Sequence, residues 1–451
     1  MNIAPNVAPD VVPHLVPSGA APIAGLEDAR PLLLFAAPYF PPAYYGGVVQ
    51  VYLGLLERLK QFRIVVATDK HNSTLEEQSA WDATAAERGF EVRRIDAFEL
   101  HLKAKRKGTG SGFLLAPLWR AQEVLSFFSK GKAQWRQLLV ELRPDLVVCG
   151  GSYSAGWLMK LVPAAMPLVN YLHGEELTMR VSPRLLMPHM RRWQMQSIRQ
   201  AELNVAVSAY TAGLTQKLAG AAIERIAVLP NFVDTKRFRV SGRRQELRAR
   251  LGWETRRVIL TLARLEPRKG IDQALRAMAQ LQREDKLPTE WIYVIAGRGK
   301  EQPALERLSC ELGIAERVAF RGFVPDDEVA ELYEAADVFL QPNREIDGDT
   351  EGFGIVFLEA SACGLPVIGG IAGGTADAIE EGVSGFRVDG ESVEAIAQAL
   401  RRLTGDAELR ERLGAQGAAR VAADFTVEQA AAQFNGMLMD VLDRREAAMR
   451  R

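Results

Sequence analysis

The sequence predicts an α/β protein built from two doubly wound, Rossmann-like domains that face each other across a cleft. Short apolar runs, typical of strands, alternate along the chain with longer amphipathic stretches, typical of helices. The apolar runs are nearly continuous, which favours parallel strands covered by helices on both faces. The pattern restarts midway through the 451 residues, so two domains fit better than one enlarged sheet.

The first domain is predicted at 31–230, after a Pro- and Ala-rich tail at 1–30 that we expect to be disordered. The segment "PPAYYGGVVQVYLGLLERL" predicts a Gly-rich turn that leads into an amphipathic helix, and "AQWRQLLVEL" predicts a helix before the fourth strand. The strands are expected in "PLLLFAAPYF", "FRIVVATDK", "GFEVRRID", "RPDLVVCGG", "MPLVNYLHGEE" and "AELNVAVSAY".

The second domain is predicted at 231–425, with the boundary near 225–240, and a terminal helix at 426–451. Helices are expected between its strands. Those strands are predicted in "VILTLARL", "WIYVIAGRG", "RVAFRGFV", "DVFLQPN", "PVIGG" and "GFRVDG".

Composition and charge argue against several classes of function. The chain has 56 basic and 56 acidic residues, hence a formal net charge of zero, whereas a general nucleic-acid binder needs a basic surface. Cys149, Cys310 and Cys363 lie too far apart for a zinc site or a disulfide framework, which favours a reducing compartment. The N-terminus lacks the basic start of a signal peptide, and no apolar run is long enough to span a membrane. We therefore expect a cytoplasmic protein.

Candidate ligand-binding residues follow the predicted strands, because open α/β sheets bind ligands outside the carboxyl ends of their strands. Arg264 and Lys269 follow "VILTL" and would suit a diphosphate whose charge grows as it leaves; a surface ion pair is the alternative. The segment "VIAGRGKE" contains Gly297 and Gly299 but lacks the third glycine of the dinucleotide fingerprint. This disfavours NAD and leaves a close backbone approach to another nucleotide open.

The segment "TEGFGIVFLEASACGLPVIGG" places Glu351 and Glu359 around a glycine-rich, apolar stretch. Gly352 and Gly354 predict a loop that turns into a helix near Gly354, with Glu359 in its second turn. The amide groups at such a helix start suit a phosphate, and the two carboxylates could accept hydrogen bonds from sugar hydroxyls. Alternatively, Glu351 only favours the helix start and Glu359 is an ordinary solvated helix residue.

Together these segments resemble the retaining glycosyltransferases of family 4, which have the two-domain GT-B fold. The resemblance covers about residues 31–445 and is strongest in "RLEPRKG", "GFVPDDEVAELYEAADVFLQPN" and the Glu–seven residues–Glu signature closed by "GLPVIGG". It implies a hexosyltransferase that moves mannose or glucose from a nucleotide-diphosphate sugar to a hydroxyl of a lipid-linked or saccharide acceptor, in cell-envelope glycolipid or polysaccharide synthesis. The stretch 347–370 is similar to phosphatidylinositol mannosyltransferase-like members, which favours GDP-mannose over UDP-glucose.

The resemblance implies roles for residues of the second domain. Glu359 would hydrogen-bond the ribose hydroxyls of the donor, Glu351 would contact the donor sugar, and Arg264 and Lys269 would hold the diphosphate. Further contacts to the donor, mainly through the backbone, are expected at Gly297, Val324, Phe353, Gly354 and Ile355.

In the first domain, Gly46 and Gly47 match the family's glycine-rich loop near the phosphates and the acceptor. His173 matches the histidine that faces the donor sugar; without the resemblance it would be interpreted as structural.

The sequence departs from the family in the second domain, at Ala376 and Asp377, where relatives more often have Pro-Glu.

The resemblance implies a reaction without cofactor or metal. No carboxylate is evident as a nucleophile on the far face of the sugar, which favours front-side displacement in which the leaving phosphate takes the acceptor proton. Asp347 and Asp349 resemble the metal-binding pair of the other major glycosyltransferase fold, but a solvated loop is the preferred interpretation.

The acceptor is expected on the first domain, where two basic clusters suggest contact with an anionic membrane surface. One contains Arg191, Arg192 and Trp193; ordinary solvated segments are the alternative for both. The other cluster comprises Lys103, Lys105, Arg106 and Lys107. Peripheral attachment to the inner face of the cytoplasmic membrane is therefore one hypothesis.

Two other functions stay open at the level of sequence. Nucleotide-sugar 2-epimerases share the GT-B architecture, and a catalytically silent member would only bind a nucleotide or a partner. Incubation with donor alone separates the epimerase from a transferase, since an epimerase needs no acceptor.

Overall fold

The computed structural model describes residues 28–44, 46–70, 73–95, 129–151, 166–178 and 187–450. They form two parallel β-sheets, one of seven strands and one of six. The strands of the first sheet are β1 Leu32–Ala36, β2 Arg63–Asp69, β3 Glu91–Ile95, β4 Leu146–Cys149, β5 Leu168–Leu172, β6 Leu203–Ala206 and β7 Ile226–Val228. Those of the second sheet are β8 Arg257–Leu262, β9 Trp291–Ala296, β10 Val318–Gly322, β11 Val338–Gln341, β12 Val367–Gly370 and β13 Gly385–Val388.

Helices follow most of the strands. In the first half of the chain they are α1 Gly47–Leu56, α2 Leu75–Arg88, α3 129–142, α4 Glu175–Thr178, α5 Met187–Gln200 and α6 Ala209–Leu214. In the second half they are α7 Arg244–Leu251, α8 Ile271–Arg283, α9 Gln302–Glu311, α10 Asp326–Ala335, α11 Ile355–Ala362, α12 Thr375–Ala378, α13 Val393–Gly405, α14 Ala407–Asp424 and α15 Val427–Arg450.

Both sheets have the strand order of a doubly wound fold. The first runs β3-β2-β1-β4-β5-β6-β7 and the second β10-β9-β8-β11-β12-β13. Each order reverses once, where Leu33 of β1 pairs with Leu146 of β4 and where Ile259 of β8 pairs with Val338 of β11. Ligands of such sheets bind in the crevice outside the strand ends at this reversal, so the loops after β1, β4, β8 and β11 are the places to look.

The central strands are buried along their whole length, which explains their continuous apolar sequences. Every residue of β1, β4, β5, β6, β11 and β12 is buried. Helices on both faces exclude water from these strands, so no polar face is needed. The predicted α/β class and the two doubly wound sheets are confirmed.

The two domains are connected twice. The chain passes from the first sheet to the second between β7 and β8, and α15 returns to the first domain, where Phe434 packs against Tyr171 with 5.5 Å between ring centroids. The two connections lie side by side, because the Val233 amide donates to the Phe425 carbonyl over 3.0 Å. Arg58 Nη2 also lies 3.1 Å from Glu428 Oε1. The first domain is therefore joined to the second both by the segment after β7 and by α15.

Some expectations differ from the structure or lie outside the described residues. The short strand β7 was not predicted, since "IAV" carries too little pattern to separate it from a loop. The tail at 1–27 and the basic cluster at 103–107 lie outside the described residues. Within the described ranges, no helix is long and apolar enough to cross a bilayer.

Candidate active site

The loops after β8 and β11 meet at Glu351. Lys269 Nζ lies 2.5 Å from Glu351 Oε2, and Gln341 Nε2 lies 3.4 Å from the same oxygen. Burial alone would raise the pKa of Glu351, but the charges of Lys269 and Arg268 outweigh it and hold that pKa below its usual range. Glu351 is therefore an ionised carboxylate in a partly desolvated position, and its contact with Lys269 is more than a solvent-exposed ion pair.

Arg268 is a member of this cluster that the sequence did not single out. Its side chain is only 4% exposed, and its guanidinium lies 2.9 Å from Glu175, 3.3 Å from Glu351, and 3.4 Å from both Asp349 and Glu266. Glu175 belongs to the first domain, so Arg268 links the two domains. The sequence does show a second cation directly before the predicted Lys269. It could not show that this arginine is buried, because the residues that surround it are distant in sequence.

The side chain of Arg264 is exposed, whereas those of Arg268 and Lys269 are buried. Its side chain is 65% exposed, with Nη1 2.9 Å from Glu266 Oε1 and Nη2 3.7 Å from Glu175 Oε1. Exposed ion pairs of this kind contribute little stability, so Arg264 can turn toward an anion at low cost. Its diphosphate role stays a prediction.

Helix α11 begins where the sequence predicts. Gly354 is its N-cap, with φ of 87° in the left-handed region and no side chain that caps the helix. A Cβ at this position would also lie 2.6 Å from the Phe357 ring, so glycine is required. The uncapped amide groups beyond Gly354 give this helix start a partial positive charge that suits a phosphate. The Phe353 side chain is buried in the core, which leaves only its backbone for a ligand.

Glu359 lies in the second turn of α11 and is not an ordinary solvated residue. It accepts a hydrogen bond from the Tyr333 hydroxyl over 3.0 Å, and burial raises its pKa to about 7. It borders a cavity of about 600 Å³ between the two domains. Other residues that border this cavity include Gln50, Gly54, Phe232, Arg237 and Ile355. Glu351 and Lys269 are not among its lining residues, so the cavity extends from Glu359 away from the ion-pair cluster.

His173 follows β5 and lies directly beside the loop that carries Glu351. A Cβ on Gly352 would lie only 1.9 Å from the His173 carbonyl oxygen, so the two backbones are in contact. Ser208 Oγ donates to the Gly352 carbonyl over 2.8 Å. Burial lowers the pKa of His173 to about 3, which keeps the imidazole neutral. The structure thus brings the predicted histidine and the predicted glutamate together from opposite domains.

The glycine-rich loop before α1 faces the start of α11. A Cβ on Gly47 would lie 3.3 Å from Ile355 Cγ2, whereas a Cβ on Gly46 would meet nothing within 4 Å. Gly47 therefore stands opposite the uncapped helix start, and Gly46 borders open space. This placement agrees with a loop that contacts phosphates, although the contact itself stays a prediction.

Gly297 and Val324 are two further residues with predicted donor contacts. Gly297 has φ of 127°, and a Cβ there would lie 1.8 Å from the Ala263 carbonyl oxygen. The backbone of Gly297 thus packs closely against the loop after β8, and its predicted contact with a nucleotide stays a prediction. Val324 is half-buried just beyond β10, next to the exposed Phe323.

Asp377 and Asp349, acidic residues of the two other motifs, both contact groups of the protein. Asp377 accepts a hydrogen bond from the Ala209 amide over 2.7 Å, a contact between the domains that the departure from Pro-Glu did not suggest. Asp349 lies near Arg268, as described above. Among the described residues, no group of three or more His, Cys, Asp or Glu could hold a metal ion.

Two family models match the chain. The model described as Glycosyltransferase Family 4 matches residues 45–237, and the model described as Glycosyl transferases group 1 matches residues 243–420. Each match falls on one of the two sheets, and together they span most of the chain.

Named relatives and solved structures agree with these matches. The chain is 36% identical over 259 residues to the GDP-mannose-dependent alpha-(1-6)-phosphatidylinositol monomannoside mannosyltransferase of Mycolicibacterium smegmatis, covering 56% of this chain and 65% of that protein. It is 38% identical over 220 residues to the D-inositol 3-phosphate glycosyltransferase of Streptomyces bingchenggensis, covering 47% of each. The matched part is thus less than two thirds of either relative's length.

Similarity in three dimensions extends over nearly the whole chain. Anabaena HepE in complex with UDP superposes with a TM-score of 0.69 at 22% identity, covering 91% of this chain and 100% of HepE. The sucrose-phosphate synthase of Thermosynechococcus elongatus gives 0.70 at 20% identity, covering 92% and 100%. At such identities the similarity concerns the fold, which is GT-B. Because the two family models together match residues 45–237 and 243–420, the chain belongs to the family 4 glycosyltransferases.

Proposed function

We propose that this protein is a retaining hexosyltransferase that moves a sugar from a nucleotide-diphosphate donor to a hydroxyl of a lipid-linked or saccharide acceptor. The observation that supports it best is the ionised Glu351, which lies between Lys269 and Arg268 in a loop whose Gly352 contacts the backbone of His173 of the other domain. A carboxylate and two cations in a loop that touches the backbone of His173, which has a neutral imidazole, suit a sugar that is bonded to a diphosphate.

The donor would bind along the second domain. Its diphosphate would lie at the uncapped start of α11, near Lys269 and Arg264, and its ribose would reach Glu359. Glu351 and His173 would accept hydrogen bonds from hydroxyls of the hexose. Lys269 contacts Glu351 and would move toward the phosphate when the donor enters.

The transfer step follows from this arrangement. The acceptor oxygen would attack the anomeric carbon on the face that the diphosphate leaves, and the leaving phosphate oxygen would take the acceptor proton. The helix start and the two cations would stabilise the charge that develops on the phosphate. Contact between the domains at Gly352 and His173 would exclude water and so limit hydrolysis of the donor.

The Mycolicibacterium relative is named as GDP-mannose-dependent and as acting on a phosphatidylinositol monomannoside. We therefore infer a GDP-mannose donor and a glycolipid acceptor for this chain as well, in cell-envelope synthesis. HepE was solved with UDP and UDP-glucose, which keeps UDP-glucose as the second donor to test. The epimerase alternative gains no support from the family models or the relatives named above.

A cytoplasmic location with peripheral attachment to a membrane fits a lipid-linked acceptor. In α5, Arg191 is engaged within the protein and not directed to a membrane, because it donates to the Glu176 carbonyl over 3.2 Å and to Gln194 over 3.0 Å. Arg192 of the same helix is exposed and could contact anionic headgroups.

A donor panel tests the proposed function directly. Thermal unfolding is followed with GDP-mannose, UDP-glucose and ADP-glucose, since a ligand at about 100 times its Kd stabilises by roughly 2.7 kcal/mol. The stabilising donor is then incubated with lipid and saccharide acceptors, and products are identified by mass spectrometry. Transfer to an acceptor supports the proposal. An epimerised donor formed without acceptor, or no stabilisation by any sugar nucleotide, would overturn it.

The raised pKa of Glu359 predicts how donor binding depends on pH. A ribose diol donates to the ionised carboxylate, and at a pKa of about 7 this group is largely protonated in mildly acidic solution. Donor affinity should therefore fall as pH decreases below 7, by up to about tenfold per pH unit. Isothermal titration with an intact sugar nucleotide between pH 5.5 and 8.5 measures this, because its esterified phosphates do not titrate there. In Glu359→Gln the affinity should be weaker at pH 8 and should vary little with pH.

A further inference from the structure

The buried hydroxyl of Tyr52 lies between the first domain's sheet and His173. Tyr52 belongs to α1, is 1% exposed, and has its hydroxyl 2.7 Å from the Gly150 carbonyl oxygen and 2.9 Å from His173 Nε2. Gly150 directly follows β4, at the point where the strand order of the first sheet reverses. Nothing in the motifs of the sequence pointed to this tyrosine.

These two distances determine where the protons lie. A phenol has one proton to donate, and a carbonyl oxygen can only accept. An oxygen–oxygen distance of 2.7 Å requires a proton between the atoms, so Tyr52 donates to Gly150. The phenol oxygen must then accept from His173, which therefore carries its proton on Nε2 and leaves Nδ1 unprotonated. The opposite arrangement would bring two oxygen lone pairs together without a proton.

The surroundings hold both rings in these positions. The His173 ring lies 5.3 Å from the Tyr52 ring and 5.2 Å from the Tyr171 ring, between centroids. The His173 amide donates to Glu176 Oε1 over 2.8 Å. A Cβ on Gly150 would lie 2.7 Å from Tyr52 Cζ, so the carbonyl and the phenol can meet only because this residue is glycine.

The charge states agree with this assignment. Burial lowers the pKa of His173 to about 3 and raises that of Tyr52 well above its ordinary value, so both groups are neutral at physiological pH. Within the described part of the chain, Nδ1 of His173 has no hydrogen-bond partner. His173, whose backbone contacts the Glu351 loop at Gly352, therefore has an unprotonated ring nitrogen that can accept a hydrogen bond.

We infer that Tyr52 is a positioning residue that holds His173 as the Nε2–H tautomer, so that Nδ1 accepts a hydrogen bond from a hydroxyl of the bound sugar. The second part rests on the proposed function; the tautomer does not. In this arrangement His173 orients the sugar and does not serve as the proton donor or the general base of the transfer. The loss of the phenol would release the ring to rotate and to exchange its proton between the two nitrogens.

Nitrogen-15 NMR of the protein with labelled histidine tests the tautomer without any ligand. The chain has five histidines, and the His173→Gln variant identifies the signals of His173. We expect a protonated Nε2 and a bare Nδ1 whose shifts stay constant between pH 5 and 8. In Tyr52→Phe we expect a mixture of tautomers. A wild-type signal with the proton on Nδ1, or an unchanged tautomer in Tyr52→Phe, would overturn the inference.

Kinetics of the same variant test the positioning role. Loss of one buried hydrogen bond corresponds to a rate change of up to about tenfold, so kcat of Tyr52→Phe should fall by that factor while KM for the donor changes less than about threefold. Tyr293→Phe is the matched control, because Tyr293 is also buried and its hydroxyl lies 2.7 Å from Thr261 Oγ1, remote from His173 in sequence. The control should keep both kcat and the tautomer. A kcat of Tyr52→Phe equal to that of the control would refute the positioning role even if the tautomer changes. Absence of sugar transfer in the wild type would refute the proposed function and leave the NMR result standing.

Discussion

A Glu351→Gln variant is expected to lose about 100-fold or more in kcat for sugar transfer while it remains folded. Glutamine keeps the size of the side chain but removes the charge that Lys269 and Arg268 share. Hydrogen bonds to a charged group contribute about 1.5–3 kcal/mol each, and the amide would exchange one accepting oxygen for a donor. The substitution would weaken the contact to the sugar and would also displace Lys269. Together these two effects should destabilise the transition state enough to lower kcat by roughly two orders of magnitude.

Stability must be measured beside activity, because the change also leaves two buried cations with one fewer anion. Removing one partner of a buried pair costs about 3–5 kcal/mol at most, so the melting temperature of Glu351→Gln should fall. Asp349→Asn is the matched control: it lies in the same loop and near Arg268, but its side chain is 41% exposed and it does not contact Lys269. The control should keep kcat within about threefold. If Glu351→Gln at a temperature where it is fully folded transferred sugar as fast as the control, Glu351 would have no part in the reaction.

Features of this chain that depend on local sequence could be predicted well. The start of α11 at Gly354 follows from a glycine before a helix-forming stretch, and the strands β8, β9 and β11 follow from short apolar runs between turns. Such patterns are local, because a buried parallel strand needs only that its own residues are apolar. The positions of Arg264 after a strand, of Lys269 in the following loop and of Glu351 just before a helix could be inferred for the same reason.

Features that depend on distant residues could not be predicted. Arg268 and Arg264 are both arginines of one loop and both lie near Glu175 of the other domain, yet one is buried and the other exposed. Arg268 is buried because it also contacts Asp349 and Glu351, which lie about 80 positions further along the chain. The Tyr52 contact joins residues about 100 positions apart and passes through a backbone carbonyl, which no side-chain motif encodes. The burial that shifts the pKa of Glu359 likewise comes from packing between elements.

The contact between Gly352 and His173 predicts a second large effect. In Gly352→Ala the new methyl group would lie 1.9 Å from the His173 carbonyl oxygen and 3.1 Å from its carbon. Both are backbone atoms of a residue that follows a buried strand, so they cannot move aside as a flexible side chain would. The loop that carries Glu351 must instead move away from His173 by more than 1 Å, and the hydrogen bond from Ser208 to the Gly352 carbonyl would break.

Because a misplacement of about 1 Å can cost roughly 100-fold in rate, kcat of Gly352→Ala should fall by about that factor. Donor affinity should change far less, since the proposed donor contacts lie mostly within the second domain, and calorimetric titration with the donor separates the two effects. Gly213→Ala serves as control, because Gly213 is exposed on α6 and a Cβ there would meet nothing within 4 Å. A Gly352→Ala protein with the kcat of this control would mean that the domains need not meet at this point for transfer. A large loss of donor affinity would instead mean that the glycine shapes the donor site itself and not the junction of the two domains.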